Sequence, residues 1–437
     1  MIKGYRSRGA LLAAVMFIAA GCSGSTTTAP PASAAPTPAA STAPAPSAAA
    51  STAASAAPSA NSAKWDSVLA AAKGQTVNWY MWGGDSNINS FVTGYVAQQA
   101  AQLGVTLKEI QITDTANAVN KVLGEKQAGN DTNGSVDLIW INGGNFATMQ
   151  QASALACGWV HDLPSDQYVD WTNATVANDF GVPVNGCESP WALAQFSMIY
   201  DSAKVATPPT DAASLVAWIK ANPGKFTYPA PPDFTGSVFV RQMLYYVNGG
   251  YQDLLGAFDQ AKYDAVAPKL WDLLNGLKPS LWRQGSTYPQ SYTQLDQAYA
   301  NGEVYFDMNY APLSVAGEVQ KGTFPQTTRE FVFSDGMMGN VSYVAIPYNS
   351  PHEAAAEVVA NILESPDAQY QQTAADVGYP AIDPTKLPAD LQTKFNNYPT
   401  PPQVAPYAVL TKNSNPELQP GWVSAVDAGW KKNVLEK

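Results

Sequence analysis

The chain has 437 residues, about three times the size of a typical single domain, so two domains or lobes are expected. Its 24 Lys and Arg against 35 Asp and Glu give a formal net charge of -11, which disfavours a nucleic-acid partner because such surfaces neutralise phosphates with positive charge. Three Cys and two His disfavour a zinc scaffold or a disulfide-rich miniprotein. We predict neither a metal site nor a cofactor.

The N-terminus has the anatomy of a cleavable signal peptide. Lys3, Arg6 and Arg8 form a basic region, and the apolar run at residues 10–20 would rise only about 16 Å as a helix, too short for a bilayer core of about 30 Å. Small residues precede Cys22, as in the lipobox of bacterial lipoproteins. We therefore predict removal of residues 1–21 and a lipid anchor at Cys22, with an ordinary signal peptide and a chance cysteine as the alternative.

The segment from Cys22 to residue 63 has a composition typical of a tether. After Cys22 it consists almost entirely of Ala, Ser, Thr and Pro, without a charge or a large apolar side chain. Such a segment cannot bury enough surface to offset the entropy lost on ordering. Residues 22–63 are therefore predicted to be a lipidated, disordered tether to a folded head.

The first part of the head alternates short apolar runs with amphipathic segments, a pattern that predicts an α/β fold. Predicted strands cover residues 76–82, 105–112 and 136–141, with helices in between. Strand and helix units that follow each other so closely predict a parallel sheet. Cys157 and Cys187 lie in this exported head, where thiols are normally oxidised, so we predict a disulfide between them; two buried free thiols are the alternative.

A second lobe is expected to begin after a long strand at residues 190–200. The elements predicted beyond it are a helix that begins near Asp211, a helix from about Gly236, a helical region at 252–277 that Pro268 interrupts, a strand at 304–308, a strand at 342–347, a helix at 350–365 and, after Gly378, only short helices.

Several separated motifs give the head a resemblance to a known family. They are WYMWGGD at 79–85, DT at 114–115, GSVDLIWING at 134–143 and NF at 145–146. With the lipobox and the tether, they resemble the solute-binding lipoproteins of bacterial ABC importers, and within these a branch labelled as thiamine-import binding proteins. The resemblance covers residues 64–437.

This resemblance implies an α/β, two-lobed type II periplasmic-binding-protein fold with a ligand cleft between the lobes. Because the lobes of such proteins are discontinuous, we expect lobe one to comprise residues 64–195 and 343–385, and lobe two residues 196–342 and 386–437. It also implies a non-enzymatic monomer outside the cytoplasm that passes one small solute to a membrane permease and its ATPase.

Ligands of open α/β sheets bind beyond the carboxyl ends of the strands, which selects four loops. Each loop also has a purely structural interpretation. The glycines could serve the turn alone, Asp85 could serve as a helix cap alone, and the aromatic residues could belong to the core. The predicted ligand-binding residues are Trp82, Gly83, Gly84, Asp85, Ser86, Asn142, Gly143, Gly144, Asn145, Phe146, Tyr228, Asp233, Phe234, Thr235, Gly236, Ser237, Asp307, Asn309 and Tyr310.

The same loops indicate the chemistry of the ligand. They bring aromatic residues together with Asp85, Asp233 and Asp307 and contain no Lys or Arg, which favours a small organic cation such as thiamine, or a neutral polar molecule, over a dianion. Enzyme motifs are lacking: the chain has no Gly-x-Ser-x-Gly and no His-Glu-x-x-His. A cell-wall glycan-binding or glycan-acting lipoprotein is the alternative function.

Overall fold

The computed structural model describes residues 60–412 and 414–437. The predicted signal peptide at 1–21, lipidation of Cys22 and the tether up to residue 59 lie outside these residues. Residues 60–63, assigned above to the tether, are instead part of a helix that begins at Ala60. Within the described ranges no helix combines the length and the apolar character that a membrane crossing requires.

The strands of the described chain form two larger sheets and one short hairpin. The first sheet has the order β11-β10-β3-β1-β2, with β6 also paired to β10; the second has the order β8-β7-β9; and β4 pairs with β5. The strands are β1 Thr76–Trp82, β2 Thr106–Ile112, β3 Leu138–Ile141, β4 Asn178–Asp179, β5 Val182–Pro183, β6 Glu188–Gln195, β7 Ser197–Asp201, β8 Phe306–Asn309, β9 Thr328–Phe331, β10 Met337–Ala345 and β11 Ser414–Asn415.

Helices surround both sheets. In chain order they are α1 Ala60–Ala72, α2 Ser86–Phe91, α3 Ala97–Gln102, α4 Ala116–Gln127, α5 Gly144–Gln151, α6 Ala174–Ala177, α7 Ala212–Ala221, α8 Phe234–Asn248, α9 Gln260–Leu277, α10 Tyr292–Ala300, α11 Ser314–Lys321, α12 Glu353–Glu364, α13 Pro366–Ala374, α14 Ala389–Asn396, α15 Tyr407–Lys412 and α16 Pro420–Trp430.

Lobe one, as we use the term from here on, is the part built on the six-stranded sheet. Along β1 the side chains of Val77, Trp79 and Met81 are buried while those between them are partly exposed, so one face of the strand packs on the core. β1 pairs in parallel with both β2 and β3, which confirms the predicted parallel arrangement. The carboxyl ends of β1 and β3 therefore lie at the same edge of the sheet.

Lobe two is the part built on the three-stranded sheet. Leu215 of α7, Phe239 of α8 and Leu270 of α9 are buried in its core, together with Trp422 and Trp430 of α16. The C-terminal helix α16 therefore completes the core of lobe two, and at 11 residues it exceeds the short helices predicted for the end of the chain.

The predicted interruption of the helix at Pro268 is wrong. α9 is continuous from Gln260 to Leu277 with Pro268 inside it. Val266 and Leu270 on the same stretch are buried in the core of lobe two. This burial along one face outweighs the backbone hydrogen bond that proline cannot form.

Two strands carry the chain between the lobes. The predicted strand at 190–200 is in fact two strands, β6 and β7, which belong to different sheets and are separated by Phe196, whose N–H donates to the Met338 carbonyl oxygen at 2.8 Å. Gln195 donates from Nε2 to the same carbonyl at 2.9 Å. β10 has Met338 in the core of lobe two and Val344 in the core of lobe one, so it forms the second crossing.

The predicted disulfide between Cys157 and Cys187 is confirmed. It spans a sequence separation of 30 residues. The closed loop includes the β4-β5 hairpin, so the bridge ties this hairpin to lobe one.

Candidate ligand-binding site

The loop after β1 places Asp85 at the N-terminus of α2. Oδ1 of Asp85 accepts hydrogen bonds from the backbone N–H groups of Asn87 at 2.7 Å and Ile88 at 3.0 Å. The backbone of Gly84 lies against the ring of Trp82, and a Cβ at this position would be only 2.0 Å from Trp82 Cζ2, so a larger residue would require the Trp82 ring to move. The remaining predicted residues of this loop are the partly exposed Gly83 and the exposed Ser86.

The loop after β3 holds a buried carboxylate that the sequence analysis missed. The N–H of Gly143 donates to Asp179 Oδ2 at 2.5 Å, and Asn142 Nδ2 donates to Asp179 Oδ1 at 3.3 Å. Burial raises the pKa of Asp179 to about 8, and the negative charge of Glu417 contributes to the increase. The two hydrogen bonds lower the pKa but do not offset the effect of burial. The other predicted residues of this loop are the exposed Gly144, the partly exposed Asn145 and the fully buried Phe146.

Phe180, next to Asp179, connects this loop with lobe two. Its φ of 44° lies in a region that residues with a side chain rarely adopt, and such strain is typical of functional positions. A Cβ on Gly143 would lie 3.2 Å from the Phe180 ring, so the ring packs directly on the loop after β3. Its centroid is 6.4 Å from that of Phe234 in lobe two.

In lobe two, Asp233 and Phe234 stand at the start of α8. Asp233 Oδ1 accepts from the N–H of Gly236 and Oδ2 from the N–H of Tyr292, both at 3.0 Å. Phe234 is the next residue; its side chain is 49% exposed although its ring contacts Tyr310 at a centroid distance of 5.1 Å. The predicted carboxylate and the predicted aromatic ring are thus neighbours at one helix end.

Several other predicted residues of lobe two lie in the interior. Tyr228 is fully buried and accepts a hydrogen bond from Trp430 Nε1 at 3.0 Å. Ser237 Oγ donates to Asp427 Oδ1 at 2.5 Å. Thr235 and Gly236 are also buried in the first turn of α8.

Carboxylates from both lobes act electrostatically on Tyr292 at the start of α10. Burial raises the pKa of Tyr292, and the negative charges of Asp296, Asp85 and Asp233 add to this effect. Burial likewise raises the pKa of Asp296 to about 6, with contributions from the charge of Glu318 and then from that of Asp233. Asp307 is fully buried: burial first, and then the negative charge of Asp296, raise its pKa well above the ordinary value.

A buried ion pair lies beneath the aromatic residues. Arg241 and Glu417, each 1% exposed, are joined at 3.1 Å, and Tyr310 donates from its hydroxyl to Glu417 at 3.0 Å. The positive charge of Arg241 is therefore neutralised. Asn309, also predicted, supports the local turn by donating to Ser314 Oγ at 2.6 Å.

A further cavity of about 850 Å³ is lined by none of the predicted residues. Its lining comes from residues 170–193 and 370–414 and includes four tyrosines, Tyr370, Tyr379, Tyr398 and Tyr407. The sequence analysis did not single out these tyrosines: Tyr370 lies in α13, and the other three lie in the segment after residue 378, for which only short helices were predicted.

The structure thus brings together two groups of residues where the lobes meet. The carboxylates are Asp85, Asp233 and Asp296, and the aromatic residues are Phe180, Phe234 and Tyr310. Asp179, Phe180, Asp296, Arg241 and Glu417 were not predicted, because their proximity depends on contacts between distant parts of the chain.

Comparisons with known proteins identify the family. The family described as bacterial extracellular solute-binding protein matches residues 94–400. Protein YnjB of Escherichia coli (strain K12) is 38% identical over 372 residues, which cover 84% of this chain and 92% of that protein.

Solved structures share the fold at low sequence identity. The maltose-maltodextrin binding protein of Alicyclobacillus acidocaldarius superposes with a TM-score of 0.60 at 14% identity, covering 83% of this chain and 96% of that one. A periplasmic thiamin binding protein superposes with a TM-score of 0.52 at 18% identity, covering 82% and 96%. These likenesses establish the two-lobed type II periplasmic-binding fold. Members of this family bind a small molecule outside the cytoplasm for the permease and ATPase of an ABC transporter, and this chain belongs to the bacterial extracellular solute-binding proteins.

Proposed function

We propose that this protein captures a small organic cation between its two lobes. The observation that carries the proposal is that carboxylates of both lobes act on Tyr292: Asp233 Oδ2 accepts a hydrogen bond from its N–H at 3.0 Å, and the charges of Asp296 in lobe two and Asp85 in lobe one reach its hydroxyl. No Lys or Arg lies in the loops at 82–86, 142–146, 233–237 and 307–310. The nearby Arg241 is paired with Glu417. A negative surface that both lobes share favours a positively charged solute.

The aromatic residues support the same class of ligand. A cation against an aromatic ring gains about 0.5 to 2 kcal/mol, and a neighbouring carboxylate adds charge pairing. Asp233 and Phe234 offer both at adjacent positions. Thiamine, with a cationic ring, a second aromatic ring and a hydroxyl group, fits this combination, and the motif at residues 79–85 resembles the thiamine-import branch.

The remaining features of the proposal concern delivery. We place the mature N-terminus at Cys22, lipid-anchored after removal of residues 1–21, with residues 22–59 as the tether. The protein acts as a monomer. The two lobes close on the solute and present it to the permease.

A thermal-shift screen tests the ligand class. Thiamine, its phosphates, spermidine, maltose and amino acids are each added to the purified protein, since a ligand at about 100 times its dissociation constant stabilises the folded state by about 2.7 kcal/mol. We expect stabilisation by a cation. Stabilisation by maltose or by a dianion, without any by the cations, would contradict the proposal.

A further inference from the structure

We infer that Phe234 is a stacking platform for a planar ring of the ligand and that Phe180, from the opposite lobe, holds it in place. This inference rests on the proposed function and narrows it, because it selects cations that carry a ring over flexible aliphatic cations.

The exposure of Phe234 is the first observation. The residue begins α8, a helix of 15 residues, and 49% of its side chain is exposed although the core of lobe two lies next to it. Tyr310 and Phe180 meet its ring at interplanar angles of 75° and 53°, so neither stacks on it. An apolar ring that is held by its neighbours and still open to solvent is suited to stacking with a ligand.

The rigid placement of Phe180 is the second observation. Its left-handed backbone is fixed on one side by Asp179, which accepts the hydrogen bond from Gly143. On the other side the carbonyl oxygen of Gly181 accepts from Gln419 Nε2 at 2.8 Å. Phe180 is only 7% exposed, so it acts through Phe234 and is a positioning residue.

The position of the nearest charge completes the argument. Asp233 immediately precedes Phe234, and its carboxylate is held by the N–H groups of Gly236 and Tyr292. The carboxylate that neighbours Phe234 in the chain is thus held in one place, where it can pair with the charge of a ring that stacks on Phe234. An aliphatic polyamine pairs with the carboxylates but covers less of the ring, because its chain has no planar face to stack on Phe234.

The test compares two probes, thiamine and spermidine, on Phe234→Leu and on a matched control. Tyr246→Leu is the control, since Tyr246 is a 39% exposed aromatic residue near the other end of α8. We expect Phe234→Leu to weaken thiamine binding about three- to thirtyfold. In Phe234→Leu the affinity for spermidine should change less than twofold, unless the wild type does not bind spermidine at all. Tyr246→Leu should leave the affinities for thiamine and for spermidine unchanged.

Phe180→Leu is the second variant, measured together with its melting temperature. We expect it to weaken thiamine binding and to reduce the preference for thiamine over spermidine even where the melting temperature is unchanged. Three outcomes would overturn the inference and leave the cation function intact. They are equal losses of affinity for both probes in Phe234→Leu, no loss for thiamine in that variant, and a wild type that binds spermidine alone. If neither cation binds the wild-type protein, the proposed function itself fails.

Discussion

Asp85 combines a structural role with a proposed electrostatic one. Its Oδ1 caps α2, and its charge contributes to the negative environment of Tyr292. Asn also caps helices well, so Asp85→Asn removes the charge and keeps the cap. We expect a two- to fivefold loss of affinity for a cation, about the size of a partly exposed charge pair, with little change in stability.

Asp211→Asn is the matched control for this variant. Asp211 caps α7 by accepting from the N–H of Ser214 at 2.7 Å, but it lies in lobe two and outside the loops of the proposed site. Calorimetric titration of the two variants should show a loss for Asp85→Asn alone. An unchanged affinity in Asp85→Asn would remove this loop from the site.

Asp296 makes the affinity for a cation depend on pH. With its pKa raised to about 6, it is charged at neutral pH and becomes protonated below pH 6. Protonation removes negative charge, so cation affinity should fall as the pH falls, by about fourfold between pH 7.5 and 5.5 if the bound cation keeps Asp296 ionised. Titrations at several pH values should show this slope in the wild type and a smaller one in Asp296→Asn. An affinity that rises on acidification would contradict the assignment.

At the level of elements, regular periodicity made the start of lobe one predictable. The alternation in β1 and the apolar run of β3 predicted both strands, and the strand-end rule then located Asp85 and Asn142 at one edge. Phe146 was assigned to a loop, but α5 already begins at Gly144 and buries Phe146 and Met149, three residues apart, on the same face. That spacing was visible in the sequence.

The unpredicted part of the site depends on distant contacts. The position of Phe180 against lobe two depends on its positive φ. It also depends on the hydrogen bond that Asp179 accepts from Gly143, 36 residues earlier in the chain. Asp296 lies on an ordinary amphipathic helix, where an acidic residue is normally solvated. Glu417 meets Arg241 across 176 residues. No local pattern encodes such proximities.

The disulfide contributes to the stability of the segment that carries Phe180. A bridge between residues 30 apart restricts the unfolded chain by about 3 to 4 kcal/mol in the loop-entropy treatment. The double variant Cys157→Ser with Cys187→Ser should lose about this free energy of unfolding in urea titrations. Wild-type protein under reducing conditions serves as the control and should match it; equal stability of the oxidised and the bridge-free protein would refute this role.

For the whole molecule, the crossing strands predict a change of shape on binding. The lobes are joined at the β6-β7 junction and by β10, and the carboxylates that we propose as ligand contacts come from both lobes. A shared ligand should draw the lobes together. Small-angle scattering should show a smaller radius of gyration with saturating cation than without it; the same radius in both states, despite measured binding, would argue against closure.

The most direct test of the central claim is calorimetric titration of one protein preparation with thiamine and, separately, with maltose and fructose 6-phosphate. The site described here predicts one binding event per chain for the cation, weakened by Asp85→Asn and by added salt, and no binding of the dianion. Binding of maltose or of fructose 6-phosphate, with no heat from thiamine, would contradict it.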